Sequence, residues 1–116
     1  MFDGLRFRHW RTETRADDVL VLTLDRADTP VNALSQAVLE ELDALIERIE
    51  IGKPKAVVIH SGKDAGFIAG ADIKEFQQFD ARGTVNDAIR RGQIVFERLH
   101  RLPCPTVVAI HGHCMG

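Results

Sequence analysis

The segment FIAGADIKEF, residues 67–76, contains the residues whose types and spacing suggest chemistry most directly. Asp72 and Glu75 are three residues apart, so a helix would carry both carboxylates on one face, as acid/base chemistry could use. The same spacing is ordinary for acids in the first turn of a helix, where they interact favourably with the helix dipole. The second interpretation is favoured, and Asp72 is then expected to begin a helix rather than to act as the catalytic acid.

The backbone of this segment is a second candidate for chemistry. A helix that begins at Asp72 leaves the N–H of Ala71 and its neighbours without intrahelical acceptors. The helix dipole makes that end favourable for negative charge. Gly70 allows the chain to bend, and the small side chains of Ala69 and Ala71 leave room for a ligand. An oxygen that gains charge during a reaction would be stabilised there, as in an oxyanion hole.

Other glycines and the serines give weaker signals. Gly62, Gly66 and Gly70 fit neither the dinucleotide-binding pattern G-x-G-x-x-G nor the phosphate loop G-x-x-x-x-G-K-[ST]. Ser35 and Ser61 lie in neither a G-x-S-x-G nor an S-x-x-K context. We therefore expect neither a nucleotide loop nor a serine nucleophile.

The cysteines and nearby histidines raise the question of a metal site. Cys104, His111, His113 and Cys114 are spaced C-x₆-H-x-H-C, which matches no usual zinc arrangement. Cys104 lies between two prolines, and nothing near it in the sequence would lower the pKa of its thiol. We predict no metal site and a structural role for Cys104.

Composition limits the class of protein. The chain has 116 residues, of which 45% are hydrophobic and 28% charged, and its net charge is -2. These values are typical of one small globular domain and give no basic surface for nucleic acid or a membrane. No apolar run is long enough for a membrane span, and the N-terminus lacks the apolar segment of a signal peptide. With only two cysteines, a reducing cytoplasm is the expected location.

Hydrophobic periodicity predicts the elements that position these residues. Alternation over 5–13 and the apolar run 19–25 indicate two strands, joined by turn residues into an antiparallel hairpin. Ser35 is expected to cap a helix that continues to about Ile51, with Gly52 as its C-cap. Residues 55–61 then indicate a strand buried on both faces, as in parallel sheets.

A second helix and strand follow. The pattern predicts a helix over about 84–101 and another buried strand over 106–111. One side of the helix is expected to carry its apolar residues, namely Val85, Ala88, Ile89, Val95, Phe96, Leu99 and Leu102. Strand, helix and strand in succession favour a parallel crossover. The loops after residues 61 and 111 would then meet at one edge of an α/β sheet, where such folds bind ligands.

The FIAGADIKEF segment resembles the signature of the crotonase (enoyl-CoA hydratase/isomerase) superfamily. Three further stretches agree with it in the same order, namely PVNAL at 30–34, AVVIHSG at 56–62 and PTVVAIHGHCMG at 105–116. The resemblance implies that residues 1–116 are a partial crotonase-like domain, the N-terminal part of a ββα spiral. The finer resemblance is to the hydratase part of multifunctional fatty-acid oxidation proteins, in which a 3-hydroxyacyl-CoA dehydrogenase follows on the same chain.

The resemblance also implies roles for particular residues. The N–H of Ala71 would be one of two oxyanion donors to the thioester carbonyl of an acyl-CoA. The CoA and pantetheine path would be lined by Ala33, Ala69, Gly70, Ala71, Asp72, Ile73 and Lys74. Lys74 would lie near a phosphate, and the alternative is a solvated helix lysine. In the family, a G-G-G-x-E-like segment supplies the second donor and a catalytic glutamate, with another glutamate further on. Gly116 matches its first glycine, so these groups are expected beyond Gly116.

The function implied is hydration of trans-2-enoyl-CoA in fatty-acid β-oxidation, without a cofactor. NAD would be needed only if a dehydrogenase domain follows. Expected partners are the acyl-CoA substrate and either further copies of the protein or a thiolase. The 116 residues alone are expected to be inactive and to associate or to depend on a missing segment. Alternatives are a truncated, non-catalytic module for CoA binding or assembly, and other reactions of the superfamily, such as isomerisation, dehalogenation or decarboxylation.

Overall fold

A computed structural model describes residues 6–70 and 82–114 of the chain. Four strands form the main sheet in the order β1-β2-β3-β5, and two short strands, β4 and β6, form a second sheet. In chain order the elements are β1 (Trp10–Thr14), β2 (Val19–Leu24), α1 (Gln36–Gly52), β3 (Ala56–Ser61), β4 (Gly66–Ile68), α2 (Arg82–His100), β5 (Thr106–Ala109) and β6 (His113–Cys114). The fold is α/β, as predicted.

The first two strands form the predicted antiparallel hairpin. Trp10 pairs with Leu24 and Thr14 with Leu20. The connecting turn is closed by the Asp18 N–H, which donates to the carbonyl of Arg15 over 3.0 Å. The first strand begins at Trp10, later than the alternating pattern from residue 5 indicated.

The remaining strands of the main sheet are parallel. β3 lies parallel to β2, and β5 lies parallel to β3. The chain passes from β2 to β3 through α1, and α2 precedes β5. Parallel strands have their carboxyl ends at one edge, which confirms the prediction that the loops after β3 and β5 share an edge.

A hydrogen bond caps each end of the first helix. The hydroxyl of Ser35 accepts a hydrogen bond from the N–H of Val38 over 3.1 Å, which confirms the predicted N-cap. At the other end, Gly52 is the last helical residue and Lys53 is the C-cap, in the left-handed conformation with φ 48°. Gly52 was therefore wrong as the C-cap. The N–H of Lys53 donates to the carbonyl of Ile49, so the backbone bond compensates for the unfavourable φ.

The core lies between the sheet and α1. Leu20, Leu22 and Leu24 of β2 are fully buried, and so are Leu45 and Ile46 of α1. Each such side chain stabilises the fold by about 1.5–3 kcal/mol relative to exposure. Trp10 belongs to the same core, and its indole N–H donates to the carbonyl of Val38 over 3.1 Å.

The second helix covers less of the core than predicted. Val95 is buried, but Ile89 is 45% exposed and Phe96 is 41% exposed, so their assignment to the buried face was wrong. Contacts with α1 include ion pairs from Arg98 to Asp43 and Glu50. The helix is therefore joined to α1 by a narrow apolar stripe with a charged border.

The last strand of the main sheet was also predicted as buried, and this was wrong. β5 ends at Ala109, and Val107 is 54% exposed and Val108 41% exposed. In the order of the described strands β5 is an edge strand, paired only with β3, so its side chains are covered less than those of β2. β3 itself alternates between buried and half-buried residues, so it is not buried on both faces.

The second sheet was not predicted. β4 and β6 pair in parallel, with Gly66 opposite His113 and Ile68 opposite Cys114. Gly112, just before β6, has φ +59°, and a Cβ there would lie 2.9 Å from the backbone of Ala65. Within residues 6–70 and 82–114, neither helix is long and apolar enough to cross a membrane.

Candidate functional site

Two irregular segments that the sequence analysis singled out lie side by side. The N–H of Ala69 donates to the carbonyl of Asn32 over 2.8 Å, and the N–H of Leu34 donates to the carbonyl of Gly70 over 2.8 Å. Ala33 lies between the two residues that make these bonds. The fold thus brings together Ala33, Ala69 and Gly70, which are three of the predicted site residues.

The exposure and conformation of these residues suit a backbone site. Ala69 is exposed, whereas Ala33 and Gly70 are half-buried. Gly70 has φ +101°, a conformation that a residue with a Cβ rarely adopts. This conformation is compatible with the bend predicted at Gly70. The other predicted site residues, Ala71, Asp72, Ile73 and Lys74, lie outside the described residues.

Asn32 connects the two segments through its side chain. It is 1% exposed. Its Nδ2 lies within hydrogen-bonding distance of the carbonyl of Leu24 (2.9 Å), the hydroxyl of Ser61 (2.9 Å) and the carbonyl of Phe67 (3.1 Å). Its Oδ1 accepts the N–H of Arg26 over 2.9 Å. One buried amide therefore fixes the ends of β2 and β3 and the middle of β4 relative to one another.

The loop over residues 25–34, which carries Ala33, has further anchors. The Nζ of Lys63 donates to the carbonyls of Arg26 (2.7 Å) and Thr29 (2.6 Å). His9, which is 7% exposed, accepts the N–H of Ala27 at its Nδ1 over 3.0 Å. This loop is therefore held by His9, which directly precedes β1, and by Lys63, which lies just after β3.

Asp25 begins this loop and carries its main charge interaction. Its carboxylate lies 2.6 Å from the Nζ of Lys63 and 2.5 Å from a guanidinium nitrogen of Arg11. The hydrogen bond from Lys63, followed by that from Arg11, lowers the pKa of Asp25 below its usual 3.8. Asp25 is therefore a carboxylate at neutral pH and is suited to holding cations, not to donating a proton.

Sequence reasoning missed Asn32 and Lys63. Asn32 is the only polar residue in the run PVNAL at 30–34, and a lone amide in an apolar run is a signal of a buried hydrogen-bonding residue. Lys63 gives no comparable signal, because a lysine after a strand is usually solvated. Only the fold shows that its ammonium is enclosed by the loop.

The residues considered for a metal site differ in their contacts and exposure. The Nε2 of His111 lies 3.0 Å from the carbonyl of Lys63. Cys104 is half-buried against the core, in agreement with its predicted structural role, and Cys114 is exposed. Among residues 6–70 and 82–114, no three His, Cys, Asp or Glu side chains are grouped so that they could hold a metal ion.

Comparison with known proteins gives the family and agrees with the fold. A family model described as "Enoyl-CoA hydratase/isomerase" matches residues 14–116. The crystal structure of an enoyl-CoA hydratase from Mycobacterium smegmatis superposes with a TM-score of 0.82 at 28% identity, over 90% of this chain and 40% of that one. The described fold is therefore similar to part of a larger domain.

Curated relatives point in the same direction. The chain is 38% identical over 105 residues to a "Fatty acid oxidation complex subunit alpha" of Idiomarina loihiensis, covering 90% of this chain and 15% of that protein. It is 37% identical over 101 residues to a "Probable enoyl-CoA hydratase" of Bacillus subtilis, covering 87% of this chain and 39% of that protein. The chain thus spans well under half the length of these relatives.

Proposed function

Because the chain belongs to the enoyl-CoA hydratase/isomerase family, we propose that the protein adds water across the 2,3 double bond of a trans-2-enoyl-CoA and forms a 3-hydroxyacyl-CoA. The observation that carries the proposal is the pair of hydrogen bonds between the loop of Ala33 and the segment Ala69–Gly70. These bonds hold the two segments together, and the proposed thioester site lies where they meet.

The proposed donor is the N–H of Ala71, a residue outside the described part of the chain. The carbonyl of Gly70, which belongs to the same peptide group, accepts the N–H of Leu34 over 2.8 Å. The assignment of Ala71 rests on the resemblance of FIAGADIKEF to the family signature and on the position of its neighbour Gly70 beside the loop of Ala33.

The proposed chemistry divides between this donor and groups that the resemblance puts after Gly116. During hydration, negative charge develops on the thioester oxygen as an enolate forms, and donors aimed at that oxygen lower the barrier. The second donor and the two glutamates that move protons are expected in the family's glycine-rich segment and beyond. Ala33, Ala69, Gly70, Asp72, Ile73 and Lys74 are proposed to line the CoA path.

The proposal extends to the setting of the reaction. The name of the Idiomarina relative, a subunit of a fatty acid oxidation complex, supports β-oxidation as the pathway. Hydration needs no cofactor, and NAD is proposed only for a dehydrogenase domain if one follows. A cytoplasmic location and assembly with further copies or with a thiolase also stay predictions.

Isomerisation of the double bond is the second candidate. The matching family includes isomerases as well as hydratases, and both reactions would use the same oxyanion donor. A non-catalytic role in CoA binding or assembly is the third. Incubation of the protein with trans-2-enoyl-CoA and, separately, with a 3-enoyl-CoA distinguishes the three: hydration consumes the first, isomerisation converts the second, and a binding module changes neither.

The donor is tested by Ala71→Pro, which removes the N–H. We expect turnover of crotonyl-CoA by the full-length protein to fall by roughly 10²–10³-fold, the usual scale for one oxyanion donor. Ala16→Pro, at an exposed position of the β1–β2 turn, is the matched control and is expected to keep full activity. Wild-type turnover in Ala71→Pro would refute the assigned role.

A further inference from the structure

The Lys63 side chain is enclosed in a way that is unusual for lysine. It is 13% exposed, and its Nζ lies 2.6 Å from the Asp25 carboxylate. The other two donors reach the main-chain carbonyls of Arg26 and Thr29 over 2.7 and 2.6 Å. An ammonium has three N–H donors, so three oxygens satisfy it completely.

Ordering and enclosing a lysine is costly. Its side chain loses about 1.5–2 kcal/mol of rotamer freedom when fixed, and a charge withdrawn from water needs close partners. The two carbonyl partners are not on a neighbouring strand, since they belong to a loop 34 and 37 residues earlier in the sequence. The contact therefore defines the path of that loop and adds little to the packing of the sheet.

The anchored part of the loop leads directly to the candidate site. The N–H of Arg26, whose carbonyl binds Lys63, donates to the Oδ1 of Asn32 over 2.9 Å. Asn32 in turn accepts the N–H of Ala69 at its main-chain carbonyl. A continuous set of hydrogen bonds thus connects Lys63 with the segment Ala69–Gly70.

We infer that Lys63 is a positioning residue for the thioester site: by holding the carbonyls of Arg26 and Thr29, its ammonium keeps the loop of Ala33 against Ala69 and Gly70. The inference rests on the proposed function, since it assumes that an acyl-CoA binds there. Lys63 is assigned no contact with the substrate.

The test uses Lys63→Met in the full-length protein, with Lys55→Met as the matched control. Methionine has nearly the length of the lysine stem but no donors, and Lys55 is an exposed lysine just before β3. Hydrogen exchange measured by mass spectrometry reports on peptides that cover 26–34, and steady-state kinetics with crotonyl-CoA report on the site.

For Lys63→Met we expect exchange over 26–34 to accelerate, and kcat/KM to fall by roughly 10- to 100-fold, as for a displaced binding group. The Michaelis constant is expected to rise at a temperature where the protein is fully folded. A merely structural role would lower the apparent kcat only at temperatures where part of the variant is unfolded, and it would leave KM unchanged. Lys55→Met is expected to match wild type in both measurements.

The outcomes separate the inference from the proposed function. If wild type neither binds nor converts an enoyl-CoA, the proposed function fails, and the positioning role fails with it. If wild type is active and Lys63→Met shows wild-type exchange or a wild-type KM, only the inference is overturned.

Should Lys63→Met not fold, Lys63→Arg is the second variant. Arginine keeps the charge beside Asp25 but replaces the three-donor ammonium with a planar guanidinium. The same loosened loop and raised KM are then expected, and wild-type values would overturn the inference.

Discussion

The side-chain nitrogen of Asn32 lies 3.1 Å from the carbonyl oxygen of Phe67, 35 residues further along the chain. The same nitrogen is 2.9 Å from the hydroxyl of Ser61 and from the carbonyl of Leu24. The irregular loop before α1 is thereby joined to strands β2, β3 and β4 at one buried point. The position of Ala33 beside Ala69 depends on this point as much as on the two backbone bonds.

Replacing the amide donor without changing its shape tests this arrangement. Asn32→Asp puts an oxygen where Nδ2 faces the carbonyls of Leu24 and Phe67, so buried oxygens would face one another without a hydrogen between them. We expect the free energy of unfolding to fall by about 3 kcal/mol, measured by urea denaturation. Thr29→Val, which removes a hydroxyl bond on the exposed part of the same loop, is expected to cost about 1 kcal/mol or less. Equal losses in the two variants would contradict the central role of Asn32.

The main sheet could be predicted from the sequence because its elements are long enough to show a period. The apolar run from Val19 to Leu24 is buried at every residue from Leu20 onwards, and the helical spacing from Val38 to Ile49 buries the face that the pattern identifies. β4 and β6 have three and two residues, too few for any period to be visible. They belong to distant segments that meet beside Gly112, a glycine with a positive φ.

The candidate site could be predicted only in part. Ala33, Ala69 and Gly70 were identified through a resemblance of motifs, and the fold places them together. Asn32 and Lys63 were missed because they have hydrogen-bond partners 35 and 37 residues away, and such contacts are set by the tertiary fold. The burial of side chains on α2 and β5 was overestimated. An apolar pattern shows which side chains prefer burial but not what covers them.

The ion pair of Asp25 predicts a dependence of stability on pH. Lys63 and Arg11 lower the pKa of this carboxyl below 3.8, so between the two pKa values the unfolded chain binds more protons than the folded one. The stabilisation is therefore complete above about pH 3.8 and is lost as the pH falls through the lower, folded value. Asp25→Asn should be about 1 kcal/mol less stable than wild type at pH 7, and the difference should vanish in acid.

Urea denaturation of both proteins from pH 7 down to pH 2.5 measures that difference. Asp17→Asn, in the exposed β1–β2 turn, controls for the loss of one negative charge and is expected to stay within about 0.5 kcal/mol of wild type at pH 7. A difference between Asp25→Asn and wild type that grows towards low pH would have the wrong sign for this ion pair.

The N-cap of α1 predicts an unusual order of stabilities. Ser35→Ala removes the hydroxyl that accepts the Val38 N–H, and the expected cost is about 1 kcal/mol. Ser35→Gly also removes the hydroxyl, yet glycine is favourable at an N-cap and should cost only about 0.3 kcal/mol. Ser35 is buried, so a cavity effect would instead make glycine the worse substitution. Thermal unfolding of the two variants decides between cap and cavity.

Two glycines predict opposite effects of the same substitution. Gly112 has φ +59°, and a Cβ there would lie 2.9 Å from the carbonyl oxygen of Ala65 and from the Cα of Gly66, both backbone atoms that cannot move aside easily. Gly112→Ala should therefore disrupt the β4–β6 pairing and lower the free energy of unfolding by about 2 kcal/mol or more.

Gly92 lies inside α2, where a Cβ would be 3.4 Å from the flexible end of Leu39. Gly92→Ala should stabilise the protein by up to about 1 kcal/mol, because alanine is the better helix former. Chemical denaturation of the pair measures both signs, and a stabilising Gly112→Ala would show that the turn before β6 does not need a positive φ.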